Sequence, residues 1–389
     1  MTTRPLQFPD AVRETLHRRY ARQKQHWLAG GGQWPLVVTL GPLSESEVAR
    51  QVDYVRAWID AWQQWRGTGT LEWQERRWRN LGAQRLPGRL LLESPEDVVA
   101  WLGEAGRWHT TRDRYRRLCD RWPVLTGCLA RHFEVLAEYP DVDFNRLETL
   151  LGWLSANPNS NLYPRQLPIA GLDSKWLENR RGVVTDLVAA LRGLDPTGMD
   201  FYPCCGLRPL PNLVRMRILD SVLRACVGGI GDMTAPVSEI AKLTLPVQCV
   251  YIVENLQTGL AFDELPGSVV LMGMGYGVEI LSQIKWIEDS SCIYWGDIDT
   301  HGFAILNRAR AYLPHLRSLL MDEPTFLRHK EFWVEEKQQH SSDVLQNLSE
   351  DEQAVYSSLK QHRWGFNVRL EQERICWGDA WSSIRAHKG

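Results

Sequence analysis

The fold is decided by the stretch Val250-Tyr251-Ile252-Val253-Glu254-Asn255, answered further on by Tyr294-Trp295-Gly296-Asp297-Ile298-Asp299-Thr300-His301-Gly302. Val247–Val253 is an apolar, β-branched run of the kind required by a strand buried on both faces of a parallel sheet. Outward from it, 257–264 reads as a short helix, Ser268–Met272 as a second strand and 278–287 as a helix. Cys292–Trp295 follows as a third strand and 302–313 as a helix, with a further strand at Leu316–Leu320. Strand–helix–strand repeats of this length make right-handed crossovers, and so an α/β fold with a parallel, doubly wound sheet.

In such a sheet, active groups collect beyond the carboxyl ends of the strands, at a topological switch point. Glu254 follows the first strand, and Asp297 and Asp299 follow the third. Residues two apart in extended chain face the same side, so the three carboxylates converge if their strands are neighbours. Bare carboxylates at close range repel one another unless a cation sits among them. Oxygen-only ligands suit Mg2+ or Mn2+ rather than zinc. An Asp-x-Asp alone is weak evidence, because surface turns use it too. The weight lies in the order of parts: apolar strand, Glu-Asn, Gly-rich turn, apolar strand, Gly-Asp-x-Asp-x-x-Gly, helix.

Upstream the grammar is different. Residues 1–155 read as a mainly helical, Trp-rich arm. Val48, Val52, Val55, Ile59 and Trp62 form one apolar stripe over 44–65, with Ser44 and Ser46 as candidate caps. Ser94-Pro95-Glu96-Asp97 is a helix start, and 110–137 is helical with a break at Pro123. Leu36–Leu40 and Arg89–Leu92 suggest short strands. A turn-rich linker at Ser155–Asn161 opens residues 156–242, a segment of short helices and loops whose size suits a winged-helix module. Residues 243–389 hold the carboxylates.

The 389 residues carry a net charge of -2, which excludes a histone-like, purely electrostatic nucleic-acid binder. Local clusters remain available for phosphate contact: Arg112, Arg114, Arg116 and Arg117 on one helix, and Arg76, Arg77 and Arg79. A solvated helix face explains either cluster alone. The 18 Trp residues read as core and interface rather than base-stacking platforms. The eight Cys show no zinc-ligand spacing, which implies free thiols in a reducing compartment. The N-terminus lacks the apolar core of a signal peptide, and no apolar run approaches the ~18–20 residues that span a bilayer. A cytoplasmic location without a membrane is therefore expected.

The two quoted phrases resemble the Toprim domains of topoisomerase VI A subunits and of the related meiotic double-strand-break protein. More closely, the chain is similar to the JetD family, the nuclease subunits of bacterial Wadjet anti-plasmid systems. The likeness extends to the Trp-rich region, to Leu167–Glu178, to Gly206–Arg217 and to Arg369-Leu370-Glu371-Gln372-Glu373. It implies an N-terminal arm, a winged-helix (CAP-like) middle domain and a C-terminal Toprim domain, assembled as a homodimer. It also implies double-stranded plasmid DNA as substrate, captured by an SMC-type ATPase with its kleisin and kleisin-associated subunits. Glu254, Asp297 and Asp299 match the family's metal carboxylates.

Topoisomerase VI relatives attack DNA with a Tyr. Tyr163 and Tyr202 are the candidates here, but neither lies in that motif, and packing or capping explains both. Water is the expected nucleophile, giving hydrolysis; the alternatives are a Tyr-dependent strand transferase or a non-catalytic DNA-topology sensor. Secondary candidates are His301 as general acid or phosphate contact, and Glu371 and Glu373 as ligands of a second metal. A turn-stabilising His and a charged helix face explain these equally well. Gly273, Gly275 and Gly277 offer backbone N–H groups to a phosphate, or simply a tight turn. Asn255 is placed to orient Glu254, and Lys285 reads as a surface residue.

Overall fold

Residues 6–41 and 43–387 are described by the computed structural model. The first five residues, part of the N-terminal stretch read for a leader, lie outside them. Two units divide the chain, 1–209 and 210–389, each with its own core.

In the N-terminal unit, the apolar stripe of 44–65 becomes two helices rather than one. Glu45–Arg50 starts from a capping box in which Ser44 and Glu47 satisfy each other's backbone. Gln51 leaves helical geometry (φ −137°, ψ 43°), and Val52–Gln64 follows. The break rotates the stripe, so that Val52 is exposed while Val55, Trp58 and Trp62 are buried. The indole N–H groups of Trp58 and Trp62 both donate to the Gln7 carbonyl at 2.9 Å. Trp27, Trp108 and Trp176 are buried in the same core. Each bulky ring there fills the space between helices, as its spacing implied.

An antiparallel sheet, β1 (Leu36–Thr39), β2 (Thr70–Trp78) and β3 (Gly82–Leu92), is ordered β1-β3-β2. β2 is missing from the sequence reading because its charged far end is exposed on both faces and shows no alternation. Helix Ala105–Arg121 ends just before Pro123, as that residue requires.

The C-terminal unit is built on six strands. They are β4 (Leu213–Ile218), β5 (Asp232–Pro236), β6 (Cys249–Val253), β7 (Ser268–Met272), β8 (Ser291–Trp295) and β9 (Arg317–Ser318). Their order is β5-β4-β7-β6-β8-β9. Pairing is parallel from β7 through β6 and β8 to β9, while β4 runs antiparallel to both β5 and β7. Every residue of β6 and β7 is buried, which their continuous apolar sequence requires. From β6 the chain crosses to β7 on one side and then returns to β8 on the other, so the switch point lies at β6.

Residues 156–242 are divided between the units: helices Ser174–Glu178, Arg181–Arg192 and Phe201–Cys205 contribute to the N-terminal core, and β4 and β5 extend the C-terminal sheet. Segment 278–287, expected as an α-helix, forms tighter 3-10 turns at Gly275–Gln283 and Lys285–Ile287. Two short antiparallel strands, β10 (Val334–Glu335) and β11 (Val368–Arg369), close the unit. All eight cysteines are free thiols. Among the described residues, no helix is long and apolar enough to cross a membrane.

Candidate metal centre

Strand register brings the three carboxylates together. β6 and β8 are parallel neighbours with Val253 beside Trp295, so Glu254 leaves the sheet next to Gly296 and Asp297. Glu254 Oε2 accepts a hydrogen bond from the Asp297 amide at 3.3 Å. Gly296 is needed for this approach: a Cβ there would lie 3.0 Å from Glu254 Oε2 and 2.6 Å from the Tyr294 hydroxyl. Asp299 caps helix Thr300–Arg310, its Oδ1 accepting from the Gly302 amide at 2.7 Å. Gly302 in turn packs against the Asp297 carbonyl, where a Cβ would come within 2.1 Å.

This crowding has an electrostatic cost. Burial, then the neighbouring Asp297 charge, pushes Glu254 up to about 7. Burial lifts Asp297 to about 6, against the pull of the Gln372 amide and Arg369. Asp299 is only 3% exposed, and burial raises it as well, with Glu336 adding to the effect.

A second wall comes from the C-terminal segment. Ile298 and Leu370 exchange backbone hydrogen bonds of 2.9 and 3.1 Å, zipping Asp297-Ile298-Asp299 against Arg369-Leu370-Glu371. The Arg369 guanidinium then lies 3.3 Å from Asp299 and 3.6 Å from Asp297, and it donates to Glu371 at 2.5 Å. The Gln372 amide donates to Asp297 Oδ1 at 2.7 Å. Glu336 is buried, and its Oε1 accepts from the amide (3.2 Å) and hydroxyl (2.5 Å) of Thr300. Two buried acceptors of this wall, Glu336 Oε2 and Gln372 Oε1, have no protein partner.

The secondary candidates fall as follows. His301 has both ring nitrogens engaged: Nδ1 with the Tyr276 hydroxyl, and Nε2 at 3.0 Å from the Gln338 carbonyl. Since a carbonyl only accepts, Nε2 carries the proton and Nδ1 accepts from Tyr276. Glu371 is held well into its ionised range by hydrogen bonds from Arg374 and Arg369, so its oxygens are committed to guanidinium groups. Glu373 accepts from Asn255 Nδ2 at 2.5 Å. Asn255 does not reach Glu254 but caps helix Leu256–Ala261. Gly273 and Gly275 adopt positive φ (+74° and +42°) in the turn that carries Tyr276 to His301. Lys285 pairs with Glu288 on the surface.

Arg112, Arg114, Arg116 and Arg117 do not form one basic face. Arg114 is buried and donates to the Leu136 and Tyr139 carbonyls and to Asp141. Arg112 pairs with Glu96, and Arg117 with Glu148, leaving Arg116 exposed. Tyr163 lies under the Arg208 guanidinium, and the Tyr202 hydroxyl accepts from Arg181 at 2.7 Å.

Sequence reasoning missed Glu336, whose neighbourhood carries no motif; it singled out the phrase Arg369–Glu373 without assigning Gln372 a role or seeing that Arg369 faces the Asp pair. The oxygen-only donors, the raised carboxylate pKa values and the orphaned buried acceptors fit a hard divalent cation. Among the described residues, however, no three His, Cys, Asp or Glu side chains stand as a ready-made coordination shell. The positive charge the Asp pair meets is Arg369.

Residues 9–189 match a family described as an uncharacterized protein conserved in bacteria, N-terminal (DUF3322). No curated protein matches the chain. Residues 206–384 match the family described as Wadjet protein JetD, C-terminal, a span that takes in all of β4 to β11 together with Glu254, Asp297, Asp299, Glu336 and Arg369. With the whole candidate site inside that match, residues 206–384 belong to the JetD C-terminal family, which identifies the chain as JetD-like and indicates a component of Wadjet anti-plasmid defence.

Proposed function

We propose that this chain is the divalent-metal-dependent endonuclease subunit of a Wadjet complex, hydrolysing phosphodiesters to make double-strand breaks in captured circular DNA. On this reading the C-terminal unit acts as a Toprim domain. The observation that carries the reading is the convergence of Glu254, Asp297 and Asp299 at the switch point of a parallel sheet. Buried carboxylates with pKa values raised to about 6 and 7 are costly in a purely structural role.

Glu254, Asp297 and Asp299 would hold Mg2+ or Mn2+. When bound, that cation would supply Lewis-acid stabilisation of a phosphodiester and lower the pKa of water near it. The chain itself supplies position. The helix cap fixes Asp299, the Gln372 amide fixes one oxygen of Asp297, and the Ile298–Leu370 bridge fixes the backbone between them. His301 acts through Tyr276, which it orients as a hydrogen-bond acceptor.

Membership of Wadjet supports a complex with its other subunits, read here as an SMC-type ATPase, a kleisin and a kleisin-associated subunit, with the chain as a homodimer. A net charge of -2 and ion-paired arginines provide little non-specific DNA affinity, which suits delivery of the duplex by a motor. The test is plasmid cleavage by the assembled complex, comparing wild type with Asp297→Ala. Loss of linear product in the variant and in EDTA is expected. Wild-type cutting in either overturns the proposal, and a protein–DNA adduct trapped by denaturant replaces hydrolysis with strand transfer.

A further inference from the structure

Among the described residues, Arg369 is the guanidinium paired with both Asp297 and Asp299. Resting on the metal-centre reading above, we propose that Arg369 is a displaceable internal counter-ion. In the metal-free protein it neutralises the Asp pair and opposes metal uptake. With a divalent cation in place it turns outward and takes the DNA phosphate that the cation also meets.

Four observations support this. The guanidinium contacts are long on the Asp side, 3.3 and 3.6 Å, and short on the Glu371 side, 2.5 Å, so Glu371 is the partner it keeps. Glu371 is independently held by Arg374 at 2.9 Å and stays in place when Arg369 moves. The Nε of Arg369 is buried without an acceptor, so the side chain is anchored only through its two terminal nitrogens. The strand beneath is fixed, with β11 paired to β10 and Leu370 bridged to Ile298; motion is therefore confined to the side chain, which is 27% exposed.

An arginine does not release its proton in a protein. Asp297 and Asp299 each have Oδ1 taken by a backbone amide, so the oxygens left for a divalent cation are the two Oδ2 atoms that face the guanidinium, and the two cations compete for them. The planar fork of the guanidinium matches phosphate as well as carboxylate.

The test compares full-length wild type with Arg369→Met and Arg369→Lys, using two measurements that do not depend on cleavage. Calorimetric titration with Mn2+ alone is expected to give tighter binding for Arg369→Met by roughly 10- to 100-fold, the range for removing one hydrogen bond to a charged group. Arg369→Lys, which keeps the charge but loses the fork, is expected between the two. Anisotropy of a phosphorothioate duplex is expected to show that Mn2+ strengthens DNA binding by wild type and that Arg369→Met loses this gain. Equal or weaker Mn2+ binding by Arg369→Met overturns the inference, since a purely structural clamp would loosen the Asp pair when removed. An undiminished Mn2+-dependent gain in DNA binding by Arg369→Met overturns the phosphate role. Failure of all three proteins to take up Mn2+ overturns the metal-centre reading itself, a result distinct from both.

Discussion

Asp297→Asn, made in the whole chain and kept free of divalent metal with EDTA, is expected to stabilise the C-terminal unit. Asn retains an oxygen for the Gln372 amide and the shape of the turn, but it removes one buried charge from the cluster. The sign follows from the direction of the shift. Asp297 is lifted from an ordinary 3.8 to about 6, so its protonated form is favoured in the folded protein. Its contribution to stability is therefore complete below about pH 4 and is lost as pH rises through about 6. At pH 7.5 wild type bears the full penalty. At about 1.4 kcal/mol per pH unit, that penalty is at most about 3 kcal/mol. A cooperative unit of this size shifts by roughly 2–4 °C per kcal/mol, so the ceiling is a rise of about 6–12 °C in melting temperature. The assay is scanning calorimetry in EDTA from pH 5 to 8, following the transition assigned to residues 210–389. The gain should shrink toward pH 5, where Asp297 of wild type is itself largely protonated, and it should reverse sign in excess Mn2+. A variant that is less stable than wild type at pH 7.5 in EDTA, or a gain that does not change with pH, would refute the reasoning.

Other expectations follow from the same geometry. Gly302→Ala places a methyl against the Asp297 carbonyl and should cost about 1–3 kcal/mol and abolish Mn2+ binding, whereas Gly127→Ala, with open space around it, should be close to neutral in the same urea titration. Arg114→Ala strands two buried carbonyls and should destabilise the N-terminal unit by about 2–4 kcal/mol, while Arg116→Ala should stay within about 0.5; equal melting temperatures for the pair would contradict the buried placement of Arg114. His301→Ala removes the acceptor for Tyr276 and the donor to Gln338, so a loss of about 1–2 kcal/mol is expected by chemical denaturation, and no change would show these contacts to be idle.

What the sequence makes legible is whatever is local and periodic. β6, β7 and β8 announce themselves because strands buried on both faces must be apolar throughout, and the carboxylates follow because the ends of such strands are marked by Gly and polar residues. That β6 and β8 are neighbours follows from the switch in strand order, and it is what turns spacing into a site. Other features leave no local trace. β10 and β11 are two residues each, too short for any period, yet they carry Glu336 and Arg369 to the site. The sign of a charge does not reveal what it faces, so Arg114 reads like its exposed neighbour Arg116 although a carbonyl pair and Asp141 hold it in the interior. The split at Gln51 is likewise hidden, because an apolar stripe continues in the sequence across a backbone that does not.

The bridge between Ile298 and Leu370 has a consequence for the order of folding. The Gln372 amide reaches Asp297 across 75 residues of chain, and the Tyr251 hydroxyl reaches the Ile384 carbonyl across 133. Contacts so distant in sequence pay their loop-closure entropy late, after the parallel strands they lean on have paired. The last segment is therefore expected to dock after the sheet has paired, so that the carboxylates meet their guanidinium late in folding. A chain interrupted by proteolysis before Val368 would lose Arg369 and Gln372 from the site together with Leu370, Ile375, Ala380 and Ile384 from the core beneath it, so the centre and the packing of its sheet depend on the same last segment.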